Sequence, residues 1–123
     1  MQHVDDYQKA IVREAAASEL EYVRKLGTRN DLILACANPG AFEAVLYIMC
    51  AGEGGAPVYN AVESVESRFS SPSGIIGRLR AMRAGGLFEE RAGRKRSQVC
   101  LVPSERLLSQ LGPVLLSKYA GNR

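Results

Sequence analysis

Tryptophan is absent from the chain, histidine occurs once and cysteine three times. With His3 alone near the start, no Ser-His-Asp or Cys-His arrangement can be assembled. Cys36, Cys50 and Cys100 are odd in number, widely spaced and form no CxxC pair. That argues against a disulfide framework or a zinc site. Cys50 lies in an apolar run and is expected as a small core residue. No run of about 18 apolar residues occurs, which excludes a transmembrane helix from the expectation. The opening segment carries Asp5 and Asp6 instead of the apolar core of a signal peptide, so cytoplasmic residence is the default. Glu14, Glu19 and Glu21 read as solvated helix charges and not as a paired acid and base. The glycines of Gly52–Pro57 invite comparison with a phosphate cradle, but no Gly-Lys-Ser/Thr follows and a P-loop is rejected. No enzyme, metal or cofactor is therefore expected.

What is present suits one globular domain. The 123 residues are 46% hydrophobic and 24% charged, ordinary values for a single core. The net charge of +3 is unevenly divided. Residues 1–66 hold ten acids and five bases, whereas residues 67–123 hold eleven bases and three acids. One face of the molecule is thus expected to meet a polyanion.

Apolar periodicity predicts a long helix from Asp5 to about Leu26, with Val4, Tyr7, Ile11, Leu20 and Val23 on its apolar side and Ala15, Ala16 and Ala17 between. Leu32–Ala37 fits either a helical turn or a strand. Asn38-Pro39 caps a helix to about Ala51, in which Phe42, Val45, Leu46 and Met49 form a stripe. Tyr47, Ile48 and Cys50 are apolar too, so this helix is expected to be buried on most sides. A further helix is expected from Pro57 to Glu66 with Val58, Val62 and Val65 inward. Arg68, Phe69 and Ser70 make the turn that follows. Pro103-Ser104 starts a last helix lined by Leu108, Leu111 and Leu115, and Pro113 is expected to kink or break it.

The segment Ser71–Arg96 is the most informative. Ser71 is a good N-cap, Pro72 suits the first helical position, and Gly85 and Gly86 end the helix. Ile75, Leu79 and Met82 form its buried stripe. Leu87–Arg91 and Ser97–Val102 read as a hairpin, in which Val99 and Leu101 alternate with polar neighbours. Its tip carries Arg94, Lys95 and Arg96. A capped helix followed by a basic hairpin is how a winged helix-turn-helix presents itself to DNA. The expected fold is mainly α with a small antiparallel β-hairpin: a winged helix-turn-helix core at 38–102, a helical N-terminal segment at 1–37 and a C-terminal helix at 103–123.

On a helical wheel Ser73, Gly77, Arg80 and Ala84 oppose Ile75, with Ile76 and Arg83 on one edge and Arg78 on the other. The candidate DNA-binding residues are therefore Arg68, Ser71, Ser73, Ile76, Gly77, Arg78, Arg80, Arg83, Arg91, Arg94, Lys95 and Arg96. Arg80 suits a base or phosphate contact, Ser73 a phosphate at the helix start, and Ile76 a thymine methyl. The hairpin tip suits phosphates or the minor groove, with Arg68 and Arg91 in support. Gly74 and Gly77 each cost the helix about 1 kcal/mol relative to alanine. Close approach to DNA and tight packing against a neighbouring helix are both open explanations.

The order of elements and the segment Ala41–Leu111 resemble the MarR-type winged-helix transcription regulators. SPSGIIGRLRAMRAGGLFEE, Ser71–Glu90, is similar to that family's recognition helix and first wing strand, and VCLVPSERLLSQL, Val99–Leu111, to its second wing strand and following helix. The resemblance implies double-stranded DNA as a partner and a homodimer formed through the terminal helices. It also admits a small-molecule effector bound between those helices and the DNA-binding lobe, with Tyr22, Phe42, Tyr47 and Met49 as candidate lining residues. Where the family carries polar, base-reading side chains, this chain has Gly74, Ile76 and Gly77. The alternative is a winged-helix module that holds a protein partner without binding DNA; RNA is a third, weaker option.

Overall fold

The computed structural model describes residues 5–93, 95 and 98–120. His3, Val4, Arg94, Arg96 and Ser97 lie outside the described residues. Among the described residues six α-helices and three strands succeed one another: α1 (Asp6–Gly27), a 3-10 turn (Asn30–Leu32), α2 (Ile33–Cys36), α3 (Pro39–Cys50), β1 (Ala56–Pro57), α4 (Val58–Glu63), α5 (Pro72–Ala84), β2 (Phe88–Ala92), β3 (Val99–Pro103) and α6 (Glu105–Ala120). The molecule is mainly helical with a small antiparallel sheet.

Local capping accounts for most helix starts. The Asp5 carboxylate accepts from the Gln8 amide at 2.7 Å, and the Gln8 side chain accepts from the Asp5 amide at 3.1 Å, a reciprocal pair that satisfies two otherwise orphaned donors. Asn38 accepts from the Ala41 amide at 2.9 Å, and Ser104 from the Leu107 amide at 3.2 Å. The segment left undecided by its composition is helical, and Leu32 and Ala35 within it are fully buried.

The sheet has three strands in the order β1-β3-β2, not the two of a lone hairpin. Ala56 and Pro57 pair with Leu101 and Cys100 of β3, while β2 pairs with β3 from Phe88↔Pro103 to Ala92↔Val99. Pairing on both edges makes β3 central. Cys100, Leu101 and Val102 are all buried and Val99 is exposed, in place of the alternation expected of a half-exposed strand. The fourth helix is also shorter than expected and starts at Val58, because Pro57 belongs to the strand.

The core gathers Val45 and Ile48 of α3, Ala61 of α4, Ile75, Leu79 and Met82 of α5, Phe88 and Leu101 of the sheet, and Leu107, Leu111 and Val114 of α6. The buried side of α3 is Gly40, Ala41, Ala44, Val45 and Ile48. Phe42 and Met49 reach only its edge, and Tyr47 and Cys50 are exposed, so the helix is not buried on most sides. In α6 the inward residue is Leu107, whereas Leu108 is exposed. Pro113 lies inside this helix and does not break it: α6 continues to Ala120. The preceding Gly112 has no Cβ to meet the proline ring, and open space surrounds it.

Two predictions arise here. Arg106 bonds both oxygens of Asp31, through Nε at 2.9 Å and through Nη2, and its Nη1 donates to the Gly85 carbonyl at 2.8 Å. It thereby ties α6 to the 3-10 turn and to the end of α5. These hydrogen bonds from Arg106 hold the Asp31 carboxyl below the usual carboxylate range. A depressed carboxyl stabilises the fold above about pH 4, the unfolded value, and the gain is lost as pH falls through the folded value. Arg106→Gln should lower the melting temperature at pH 6–7, and the gap to the parent should narrow progressively as pH falls below about 4. A pH-independent gap in thermal melts would contradict this.

The three cysteines differ in exposure. Burial pushes the Cys36 thiol up to about 11, and Cys100 is buried, whereas Cys50 is exposed at the end of α3. Since the thiolate is the nucleophile, a maleimide at pH 7.5 should label Cys50 first and the other two only after unfolding. Intact mass over time would show one adduct forming before the rest; simultaneous labelling of all three would refute it.

Candidate nucleic-acid interface

Helix α5 is positioned from both ends. Its cap, Ser71, accepts from the Gly74 amide at 3.1 Å. Behind it, Ser70 accepts from the Gly40 amide at 3.3 Å and donates to Asn38. Gly40 is needed here, because a Cβ would stand 2.7 Å from that of Ser70 and 3.1 Å from Ile75. Glu43 accepts from the amides of Glu66 at 2.7 Å and Ser67 at 3.1 Å, which holds its carboxyl below the usual range, the Glu66 amide contributing most. The turn before α5 is thus pinned to α3 by three side chains, and it displays Arg68 and Phe69 to solvent.

With Ile75, Leu79 and Met82 buried, the opposite face of α5 is exposed at Ser73, Gly77, Arg80 and Ala84, while Ile76 and Arg78 are half-buried. Arg80 stands where two hollows meet. One, of about 290 Å³, is lined by Tyr59, Asn60, Ile76, Arg80, Gln98 and Val99; the other, of about 190 Å³, by Leu79, Arg80, Arg83, Glu90 and neighbouring apolar side chains. Among the described residues, and apart from its own helix backbone and chain neighbours, nothing lies within 4 Å of a Cβ placed on Gly77, and only the Ser71 hydroxyl of one on Gly74. Tight packing against a neighbouring helix is therefore not the reason for Gly77.

The structure does not bring all the named cations together. Arg83 is ion-paired with Glu90 across to β2; both are nearly half exposed, so the pair contributes about 1 kcal/mol or less. Arg91 follows Glu90 in the strand and points to the other side of the sheet, as the two-residue period requires. There it donates to the Glu53 carbonyl at 3.2 Å and shares a hollow with Met49, Val102, Glu105 and Leu108, away from α5. It does not support the recognition face. Lys95 is exposed at the hairpin tip, whose turn is closed by Gly93 N–H to Gln98 O at 2.8 Å and Gln98 N–H to Lys95 O at 3.0 Å.

Tyr59 and Gln98 were not anticipated as members of this face. The available signal was that Tyr59, a large aromatic, falls outside the Val58–Val62 stripe; what places it beside α5 is the packing of α4 against α5. The candidate effector residues do not share one cavity. Tyr22 and Phe42 flank an open apolar groove of about 510 Å³ between α1, α2 and α3, Met49 lines the hollow of Arg91, and Tyr47 is exposed. Among the described residues no three His, Cys, Asp or Glu side chains converge as a metal site, and no helix is long and apolar enough to cross a membrane. No family model, no curated protein and no solved structure matches the chain.

Proposed function

We propose that this chain is a DNA-binding transcriptional regulator of the winged helix-turn-helix type, resembling the MarR regulators and working as a homodimer. In this reading α3, α4 and α5 form the helical part, the β2–β3 hairpin is the wing, and α5 is the recognition helix. Its outward face enters the major groove, and the wing tip with Lys95 follows the backbone or the minor groove. The observation that carries the reading is the uncovered face of α5 with Arg80 at its centre, flanked by Tyr59 and Gln98. Its backbone is bare at Gly77, so the helix can approach a duplex closely.

Phosphate contacts release counterions, so affinity should fall steeply as salt rises. Fluorescence anisotropy of a labelled random-sequence duplex between 50 and 400 mM salt tests this. Absence of binding at the lowest salt would overturn it. The second reading, a module that holds a protein partner, draws on the exposure of Phe69 and Tyr59 and on Glu90 occupying Arg83. It becomes the better account if duplex affinity is negligible.

A further inference from the structure

The hollow of about 290 Å³ beside Arg80 is built between α4, α5 and the hairpin. Tyr59 and Asn60 come from the first turn of α4, Ile76 and Arg80 from α5, and Gln98 and Val99 from the entry to β3. Its lining is of two kinds. Ile76, Val99 and the Tyr59 ring are apolar, and Tyr59 and Val99 stay 70% and 45% exposed. Apolar surface left open inside a polar rim marks a place of contact. The rim consists of the Asn60 and Gln98 amides and the Arg80 guanidinium. Among the described residues no hydrogen bond or ion pair engages these three side chains. Gln98 lies back across the hairpin turn. A Cβ on Gly93 would stand 2.5 Å from its Oε1 and 2.7 Å from its Cγ, so the side chain uses the space that a larger residue at 93 would fill.

An aromatic face, two amides and a guanidinium around apolar side chains match the needs of a nucleobase. The base stacks on the ring, its edge meets donors and acceptors of the amides, and its phosphate meets the cation. A base inside a duplex shows only its edge in the groove and cannot enter a recess. An unpaired base is not so restricted, and turning it out of the stack costs least where pairing is already lost. The volume falls just below the range of about 300–1,000 Å³ usual for small-molecule sites, which suits one planar ring system. Because Arg80 lines the hollow, a strand whose phosphate rests on that guanidinium brings the adjoining base to its mouth.

We propose that this hollow holds one unpaired nucleobase of a DNA strand lying on α5, stacked on Tyr59, with its edge met by Asn60 and Gln98 and its phosphate by Arg80. The inference rests on the DNA-binding reading above and adds a preference to it. The chain favours duplex that carries an unpaired base over perfect duplex. It requires no second copy and no base-reading side chain on α5, where Gly74 and Gly77 offer none.

Anisotropy titrations of the full chain with three short DNA duplexes test it: one fully paired, one with a single unpaired adenine, and one with an abasic residue at the unpaired position. The adenine should raise affinity at least about tenfold over the paired duplex, the effect of stacking one base on an aromatic side chain. The abasic form has the same interrupted backbone but no base, and should show no gain. Tyr59→Ala should abolish the gain and Tyr59→Phe should keep it, because the ring and not the hydroxyl stacks. Gln98→Ala should reduce it. Tyr59 is exposed, so its two variants should melt with the parent. Arg80→Ala should weaken all three duplexes alike. A 5-iododeoxyuridine at the unpaired position should photo-cross-link to the peptide that contains Tyr59. Equal affinity for the three duplexes, an abasic form bound as tightly as the adenine form, a gain that survives Tyr59→Ala, or a cross-link elsewhere would overturn the proposal. The same stem made of RNA, whose deep and narrow major groove is closed to α5, should bind more weakly; tighter binding would assign the hollow to RNA and overturn it too. If paired duplex binds and the gain is missing, this inference alone falls. If the unpaired base is bound and paired duplex is not, the regulator reading alone falls.

Discussion

Gly55→Val should cost the fold about 3 kcal/mol or more, the largest loss expected from any single change in the loop before α4. Gly55 has φ +68°, in the left-handed region that a β-branched residue adopts only under strain. A Cβ there would also stand 2.1 Å from the Leu101 carbonyl oxygen and 2.8 Å from Val102. The oxygen belongs to the backbone of the central strand, so it cannot swing aside as a side chain would. Relief requires β1 to leave the sheet. Its neighbours separate the two contributions. Gly52 has φ +83° with nothing within 4 Å, so Gly52→Ala should carry only the backbone cost, about 1–2 kcal/mol. Gly54 has neither problem, and Gly54→Ala should lie within about 1 kcal/mol of the parent, on the stabilising side. Thermal melts should rank the three Gly54, Gly52, Gly55 from mildest to worst. Gly55→Val melting like Gly52→Ala would mean that the contact with Leu101 is not felt.

The same loop marks where reading the sequence stopped. A two-residue strand with a proline has no period to detect, and its existence depends on a partner more than forty positions away. Without it, β3 is one half of a two-stranded hairpin and not the central strand of three. Helix α5 was legible in full because its cap, its first-position proline, its apolar stripe and its glycine stop are all local, and each agrees with the others. Helix α1 was half legible. Periodicity identifies an apolar side but says nothing of what covers it, and most of this one meets no other part of the chain among the described residues.

The interface was legible to the same degree. Wheel arithmetic placed Ser73, Gly77 and Arg80 outward correctly, since it uses one helix alone. It had no means of seeing that Glu90 reaches back to Arg83, or that the strand period sends Arg91 to the far side of the sheet. Summed charge in residues 67–123 therefore overstates what one face presents. Arg106 is a further instance: it counts among the eleven bases, but Asp31 and the Gly85 carbonyl hold its guanidinium.

That separation of charges makes the decisive test sharper than charge removal in general. Arg80→Ala with Lys95→Ala should reduce duplex affinity by at least about a hundredfold near 150 mM salt, at a loss of about 1–3 kcal/mol per contact. With two cations removed from each copy of a dimer, the slope of log affinity against log salt should become shallower by about 3.6. Arg91→Ala removes the same formal charge as either single change, yet it should leave affinity within about threefold of the parent, because its guanidinium lies across the sheet beside Glu53. Gly77→Ala adds the opposite signature. A Cβ there meets nothing beyond its own helix among the described residues, so the helix should gain about 1 kcal/mol, while a duplex pressed against this face would lose its close approach. The variant should melt higher and bind more weakly. Anisotropy titrations and melts on the four proteins decide the matter: if Arg91→Ala weakens binding as much as the Arg80 and Lys95 changes, the attraction is diffuse and α5 is not the element that enters the groove.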